Sequence, residues 1–187
     1  MRKTACILPL ALALALAWPA GDSHADNSVA VWVGWHFSHE NDLDTWKIGG
    51  EYEYRTRSVA LPVLDLALAL PFEYYEVEPE RGRFDDIDVT TYSLMPTAKV
   101  YLMALPALHP YIGAGVGWAR TELGHPLHDT EDSLAWRVLV GAEYVLFPAS
   151  PFLIFGEFEY TEIELDDRPG EPDVGGDAVL GGVRLRF

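Results

Sequence analysis

Between residues 29 and 37, Val29, Val31, Val33, Trp35 and Phe37 take every second position, with Ala30, Trp32, Gly34 and His36 between them. A period of two marks a β-strand with two unlike faces. The pattern returns seven more times. Trp46, Ile48, Gly50, Tyr52 and Tyr54 alternate with Lys47, Gly49, Glu51, Glu53 and Arg55. Leu64 to Tyr74 alternate with Asp65 to Tyr75, and Tyr92 to Leu102 with Ser93 to Tyr101. Ile112 to Trp118 oppose Gly113 to Ala119, and Leu134 to Tyr144 oppose Arg137, Leu139, Gly141 and Glu143. Ile154 to Tyr160 oppose Phe155, Glu157 and Glu159, and Val179 to Phe187 oppose Leu180, Gly182, Arg184 and Arg186. Eight strands are predicted.

The two faces differ in an informative way. One carries large apolar side chains with aromatics toward the strand ends; the other is small or charged at mid-strand, as at Ala67, Ala69, Gly113, Gly115, Gly117, Glu51, Glu143 and Glu157. A strand that crosses a bilayer needs about 9 to 11 tilted residues, an apolar lipid face and aromatic girdles at both interfaces. Trp35, Trp46, Tyr74, Tyr92, Trp118, Trp136 and Tyr160 form one expected girdle, and Tyr54, Leu102, Tyr144 and Phe187 the other. An open sheet edge in hydrocarbon would leave backbone groups unpaired at several kcal/mol each, so the strands must close. The expected fold is all-β, an eight-stranded antiparallel up-and-down transmembrane β-barrel. Pro71 and Pro96 fall inside strands three and four, where each removes a ladder hydrogen bond, and a bulge or strand end is expected at both. The leucine- and alanine-rich stretch from Val59 to Leu70 reads as strand because it alternates between Pro62 and Pro71.

The N-terminus reads differently. Arg2 and Lys3 precede an apolar run from Ala5 to Ala20 that ends at Ser23-His24-Ala25, which predicts a secretory signal peptide over 1–25 and a barrel domain over 26–187. Cys6, the only cysteine, falls in that segment, so the remaining 162 residues form no disulfide. Beyond it no run of about 18 apolar residues occurs, which excludes helical spans from the rest of the chain.

Charge then orients the barrel. Without Arg2, Lys3 and Asp22, 28 acidic and 11 basic residues remain, for a net −17, a surface that repels nucleic acid and attracts cations. The connections after strands two, four and six contain no carboxylate: Thr56-Arg57-Ser58, Met103 to His109, and Phe147 to Pro151. The alternate four hold twenty of the 28: Glu40, Asp42 and Asp44; Glu76, Glu78, Glu80, Asp85, Asp86 and Asp88; Glu122, Asp129, Glu131 and Asp132; Glu162, Glu164, Asp166, Asp167, Glu171, Asp173 and Asp177. An even-stranded barrel puts alternate connections on opposite sides, so both termini are expected in the periplasm and the acidic loops outside.

Val183-Arg184-Leu185-Arg186-Phe187 ends on an aromatic with apolar residues two and four places before it. With Pro110-Tyr111-Ile112-Gly113-Ala114-Gly115-Val116-Gly117 and Val140-Gly141-Ala142-Glu143-Tyr144, the chain resembles the small-barrel superfamily that includes the OmpA membrane domain, OmpX and OmpW. The resemblance covers everything after residue 25. It implies a Gram-negative outer membrane, an assembly signal at Val183, Leu185 and Phe187 read by the barrel-assembly machinery, and lipopolysaccharide as neighbour. Because the chain stops at the last strand, the resemblance carries over no peptidoglycan-binding domain.

Candidate chemistry is concentrated inside. An eight-stranded barrel is just wide enough for its lumen to be filled by side chains. Glu51, Glu53, Glu73, Glu143, Glu157 and Glu159 are expected to face inward with Lys47, Arg55, Lys99, Arg137, Arg184 and Arg186, and buried charges persist only when paired. A lumenal ion-pair plug is the expectation. His36, Ser38 and Glu40 resemble the H-x-S element of outer-membrane lipid A deacylases, but they lie on the first strand and point inward by parity, where that family's pair is on a late strand facing lipid; no catalytic residue is assigned. His125, His128 and Asp129, with His36 or His39, have only weak spacing for a metal site, so no metal or cofactor is expected beyond weak divalent cations at the acidic loops. Three functions follow in descending order: a monomeric structural or surface-interaction scaffold that is not an enzyme, a narrow channel for small or apolar solutes, and a lipid A-modifying enzyme.

Overall fold

The computed structural model describes residues 25–38, 44–57, 63–77, 89–123, 129–147, 150–164 and 175–187. The predicted signal segment up to residue 24 lies outside them, as do His39, Glu40, His125, His128 and most of the acidic connections. The described residues form nine β-segments: β1 (Ala25–Ser38), β2 (Thr45–Arg57), β3 (Leu64–Val77), β4 (Val89–Leu94), β5 (Thr97–Leu102), β6 (Leu108–Leu123), β7 (Asp129–Val145), β8 (Phe152–Glu164) and β9 (Gly176–Arg186). β4 and β5 are two halves of one strand, since both pair with β3 and β6 in a register that carries straight across Met95 and Pro96. Every pairing is antiparallel, and β9 returns to β1, so eight strands close into a barrel.

The wall is sheared. Following partners from Ser28 through Glu53, Ala69, Thr97, Gly115, Arg137, Thr161 and Gly176 leads back to β1 at Ser38, ten residues along from the start. Such an offset tilts the strands by roughly 40° to the axis. Asn27 and Phe187 exchange backbone hydrogen bonds of 3.1 and 2.8 Å, which seals the seam where the first and last strands meet. These ends and the connections β2–β3, β5–β6 and β7–β8 share one rim, the terminal end; the other four connections share the loop end.

The expectation of a bulge or strand end is met at Pro96, where β4 ends at Leu94 and β5 starts at Thr97, but not at Pro71. Pro71 sits within β3, opposite Glu51 of β2, and the registers on both sides of Pro96 agree, so no residue is inserted. Backbone groups alternate direction along an antiparallel strand, and the Met103 N–H bond to the Val63 carbonyl fixes which way the odd positions of β3 point. By that parity the missing N–H of Pro71 faces Met95. The Thr97 hydroxyl takes over the stranded acceptor, donating to the Met95 carbonyl at 2.7 Å. Pro96 leaves its gap in the other ladder, since its carbonyl accepts from Val116 N–H of β6 at 3.3 Å.

The faces separate as the alternation requires. Val31, Leu68, Ile112, Val140, Phe158 and Val183 point outward and are exposed to what must be lipid. Aromatics pair across strands near the loop end: Trp35 meets Trp46 edge-on at 4.9 Å, Tyr74 meets Tyr92 at 5.3 Å, and Trp136 meets Tyr160 at 5.4 Å. The inward face is not simply small or charged. Trp32, Phe155 and Leu180 form a buried apolar cluster in the lumen. Trp32 has glycine as its partner on both neighbouring strands, Gly49 and Gly182, and a Cβ at either would run into the Trp32 side chain. Glycine here is bought by the bulk opposite it.

Strand ends run past the expected boundaries. Glu76, Glu122, Asp129, Glu131, Asp132, Glu162, Glu164 and Asp177 stand on strands rather than in loops, and at the terminal end Thr56, Arg57, Leu108 and His109 do so too. Hydrogen-bonded pairing continues beyond the apolar span, where side-chain polarity no longer reports strand or loop.

Candidate functional site

The inward positions bring the charged residues together in two layers. Nearer the loop end, β2 supplies Lys47, β3 Glu73, β7 Arg137 and β8 Glu159. The Lys47 ammonium donates to Glu159 and lies 2.9 Å from Glu73. Arg137 Nη1 reaches Glu73 at 2.5 Å and Glu159 at 3.1 Å. Neutral donors complete the layer: the Ser93 hydroxyl donates to Glu73 at 3.0 Å, and Arg137 Nε donates to the Thr97 hydroxyl at 3.0 Å. Two cations face two anions, all of them fully buried.

The layer nearer the terminal end is larger. Lys99 donates to both oxygens of Glu51 at 2.9 and 2.8 Å and stands 3.6 Å from Glu157. Arg184 Nη2 donates to Glu51 at 2.6 Å, while its Nη1 lies 3.1 Å from Glu53 and from Glu143. Arg55 spans Glu143 at 2.7 and 2.9 Å and Glu53 at 2.8 Å, with its guanidinium over the Tyr101 ring at 3.6 Å. Arg186, a quarter exposed at the rim, donates to Glu143 at 2.9 Å. Four cations, Arg55, Lys99, Arg184 and Arg186, meet four anions, Glu51, Glu53, Glu143 and Glu157, so this layer too is neutral. Across the lumen these bonds tie β2 to β5, β7 and β9, none of them its neighbour in the wall.

Three participants were not assigned from the sequence. Tyr101 donates to Glu53 at 2.6 Å, Tyr111 donates to Glu157 at 3.0 Å, and His109 Nδ1 lies 3.2 Å from Glu143. Parity with Gly113 and Gly115 was the available signal for Tyr111 and His109; Pro110 between them hid it.

Other candidates are not brought together. His36 is buried in the lumen, its ring stacked on Tyr75 at 4.8 Å, and Ser38 stands half-buried at the end of β1. Glu40, His125 and His128 lie outside the described residues, among which no group of three or more potential metal ligands occurs. Val183, Leu185 and Phe187 lie on the lipid-facing side of β9.

At mid-height the inward-facing side chains are buried. Ala69, Thr97, Tyr101 and Glu53 have essentially no surface that a water molecule could touch.

Comparison with known proteins follows the same lines. The family model described as outer membrane protein beta-barrel domain matches residues 6–187. No curated protein matches the chain by sequence. Among solved structures, Neisserial surface protein A is similar at a TM-score of 0.63 and 17% identity, covering 89% of this chain and 99% of that one. Ail, the attachment invasion locus protein of Yersinia pestis, solved with the heparin analogue sucrose octasulfate, is similar at 0.59 and 13% identity, covering 88% and 99%. A structure described as the outer membrane enzyme PagL is similar at 0.50 and 15% identity, covering 86% and 98%. At these identities the likeness concerns the fold.

Proposed function

The chain belongs to the outer membrane protein beta-barrel domain family, and from that premise we propose that it is a non-enzymatic, monomeric scaffold of the Gram-negative outer membrane whose lumen is plugged by its own side chains. The observation that carries this is the pair of neutral ion-pair layers. Eight of their charged groups, Lys47, Glu53, Glu73, Lys99, Arg137, Glu143, Glu159 and Arg184, are sealed from solvent with their partners at hydrogen-bond distance. Opening a path would strand charges in a low-dielectric interior, which is strongly unfavourable.

In this reading residues 1–25 are removed on export, Phe187 with Leu185 and Val183 addresses the chain to the barrel-assembly machinery, and the terminal end stays in the periplasm. The acidic loop end faces outward beside lipopolysaccharide, where its carboxylates hold divalent cations weakly. The buried, inward position of His36, stacked on Tyr75, supports the non-enzymatic reading over lipid A chemistry, because a base held there is turned away from the lipid.

Planar-bilayer recording tests the plug against the narrow-channel alternative. Purified barrel should give no discrete conductance steps; reproducible single-channel steps would overturn the proposal.

A further inference from the structure

At the terminal end the β5–β6 and β7–β8 connections have the wrong surface for turns that stand in water. Phe147, at 68% exposure, is the most exposed large apolar side chain described, and Leu105 at the tip of the β5–β6 turn is half exposed. Between Leu102 and Leu108 the turn reads Met103-Ala104-Leu105-Pro106-Ala107, and between Val145 and Phe152 it reads Leu146-Phe147-Pro148-Ala149-Ser150-Pro151, without one charged residue. Soluble turns are polar because their backbone and side chains are solvated.

These turns have also disposed of much of their backbone polarity. Pro106, Pro148 and Pro151 have no N–H to solvate. The N–H groups of Met103 and Val145 donate to Val63 and Ala107 at 2.8 and 2.9 Å. Ser150 N–H donates to the Phe147 carbonyl at 2.9 Å, and Phe152 N–H to the Ser150 hydroxyl at 3.1 Å. Satisfied backbone is what a segment needs to leave water for a lipid environment.

The apolar tips also continue the lipid-facing columns. Tyr144, exposed on the lipid side of β7, is followed just past the strand end by the exposed Leu146, and Leu102 and Leu108, both exposed on the lipid side, flank the Leu105 turn. We propose that the β5–β6 and β7–β8 turns are seated in the interfacial layer of the adjacent leaflet, with Leu105 and Phe147 inserted among lipid headgroups and upper acyl chains as a two-point anchor. The occupant is a lipid surface: the turns offer no charge for an ionic partner, and they adjoin a belt of exposed apolar side chains. The two turns flank the β6–β7 pair, so they anchor one side of the rim.

The test is nitroxide accessibility of the full barrel reconstituted in phosphatidylethanolamine–phosphatidylglycerol vesicles. Single cysteines replace Leu105, Phe147, Val138 as the mid-bilayer reference and Glu122 as the aqueous reference, in a Cys6→Ser background, with folding checked by heat-dependent gel mobility. Labels at Leu105→Cys and Phe147→Cys should collide with oxygen several-fold more than with a nickel chelate, as at Val138→Cys and unlike Glu122→Cys. Preferential collision with the chelate would overturn the anchor, and so would protection from both, which would mean that protein covers the turns. If Val138→Cys itself met the chelate, the failure would lie in the lipid-facing belt instead.

Discussion

The two charge layers in the lumen do the same job with different margins. In the loop-side layer, Glu73 and Glu159 share Lys47 and Arg137, so each cation is half of the available compensation. In the terminal-side layer, Glu143 alone is met by Arg55, Arg184, Arg186 and His109, and Glu53 by Arg55, Arg184 and Tyr101. A four-member ring has no spare partner, whereas the eight-member mesh has several. The loop-side layer should therefore be the brittle one.

The largest effect is expected at Arg137. Arg137→Met leaves two buried carboxylates with one ammonium, and removing one partner of a buried pair costs about 3–5 kcal/mol. Urea unfolding of the reconstituted barrel should register that loss, and the double variant Arg137→Met with Glu159→Gln should recover most of it, because the remaining Lys47–Glu73 pair is again neutral. Arg184→Met should cost less, about 1–3 kcal/mol, since each of its carboxylates keeps another donor; a loss equal to that at Arg137 would erase the contrast between the layers.

Smaller effects sharpen the gradient toward solvent. Arg186→Ala, at the rim, should cost about 1 kcal/mol or less in the same unfolding assay, because Glu143 keeps three partners. Arg120 binds Asp132 through two bonds of 2.8 and 3.0 Å, but both side chains are roughly half exposed on the loop-side wall. Asp132→Asn should leave the unfolding midpoint essentially unchanged, and any difference should vanish at high salt.

Much of this barrel is legible in the order of residues, and the reasons are physical. Strand number and facing follow from a strict period of two held over residues such as Val29–Phe37 and Leu134–Tyr144, where a one-residue slip would put charges such as Arg137 or Glu143 against lipid. Boundaries are less visible because strands continue past the apolar span, so Glu76 and Asp132 look like loop residues while pairing as strand. Pro71 misleads for another reason, while Pro96 does mark a strand break: a proline breaks a ladder only where its missing donor is needed, and the Thr97 hydroxyl serves the acceptor opposite Pro71. Pairing across the lumen is the least legible. Glu73 meets Arg137 only because the wall shears by ten residues around the barrel, a quantity set by all eight strands together. His109 and Tyr111 went unassigned for the related reason that Pro110 masks the start of β6.

The most direct test of the central claim is thiol accessibility at mid-lumen. Ala69 is buried on the inward face of β3, between the two layers, paired with Glu53 of β2 and Thr97 of β5, which are buried too. In a Cys6→Ser background, Ala69→Cys in the folded, reconstituted barrel should resist a small cationic methanethiosulfonate for hours and react completely once unfolded in urea. Rapid labelling of the folded barrel would mean that water and ions already reach the axis, and the account of a sealed lumen would be wrong.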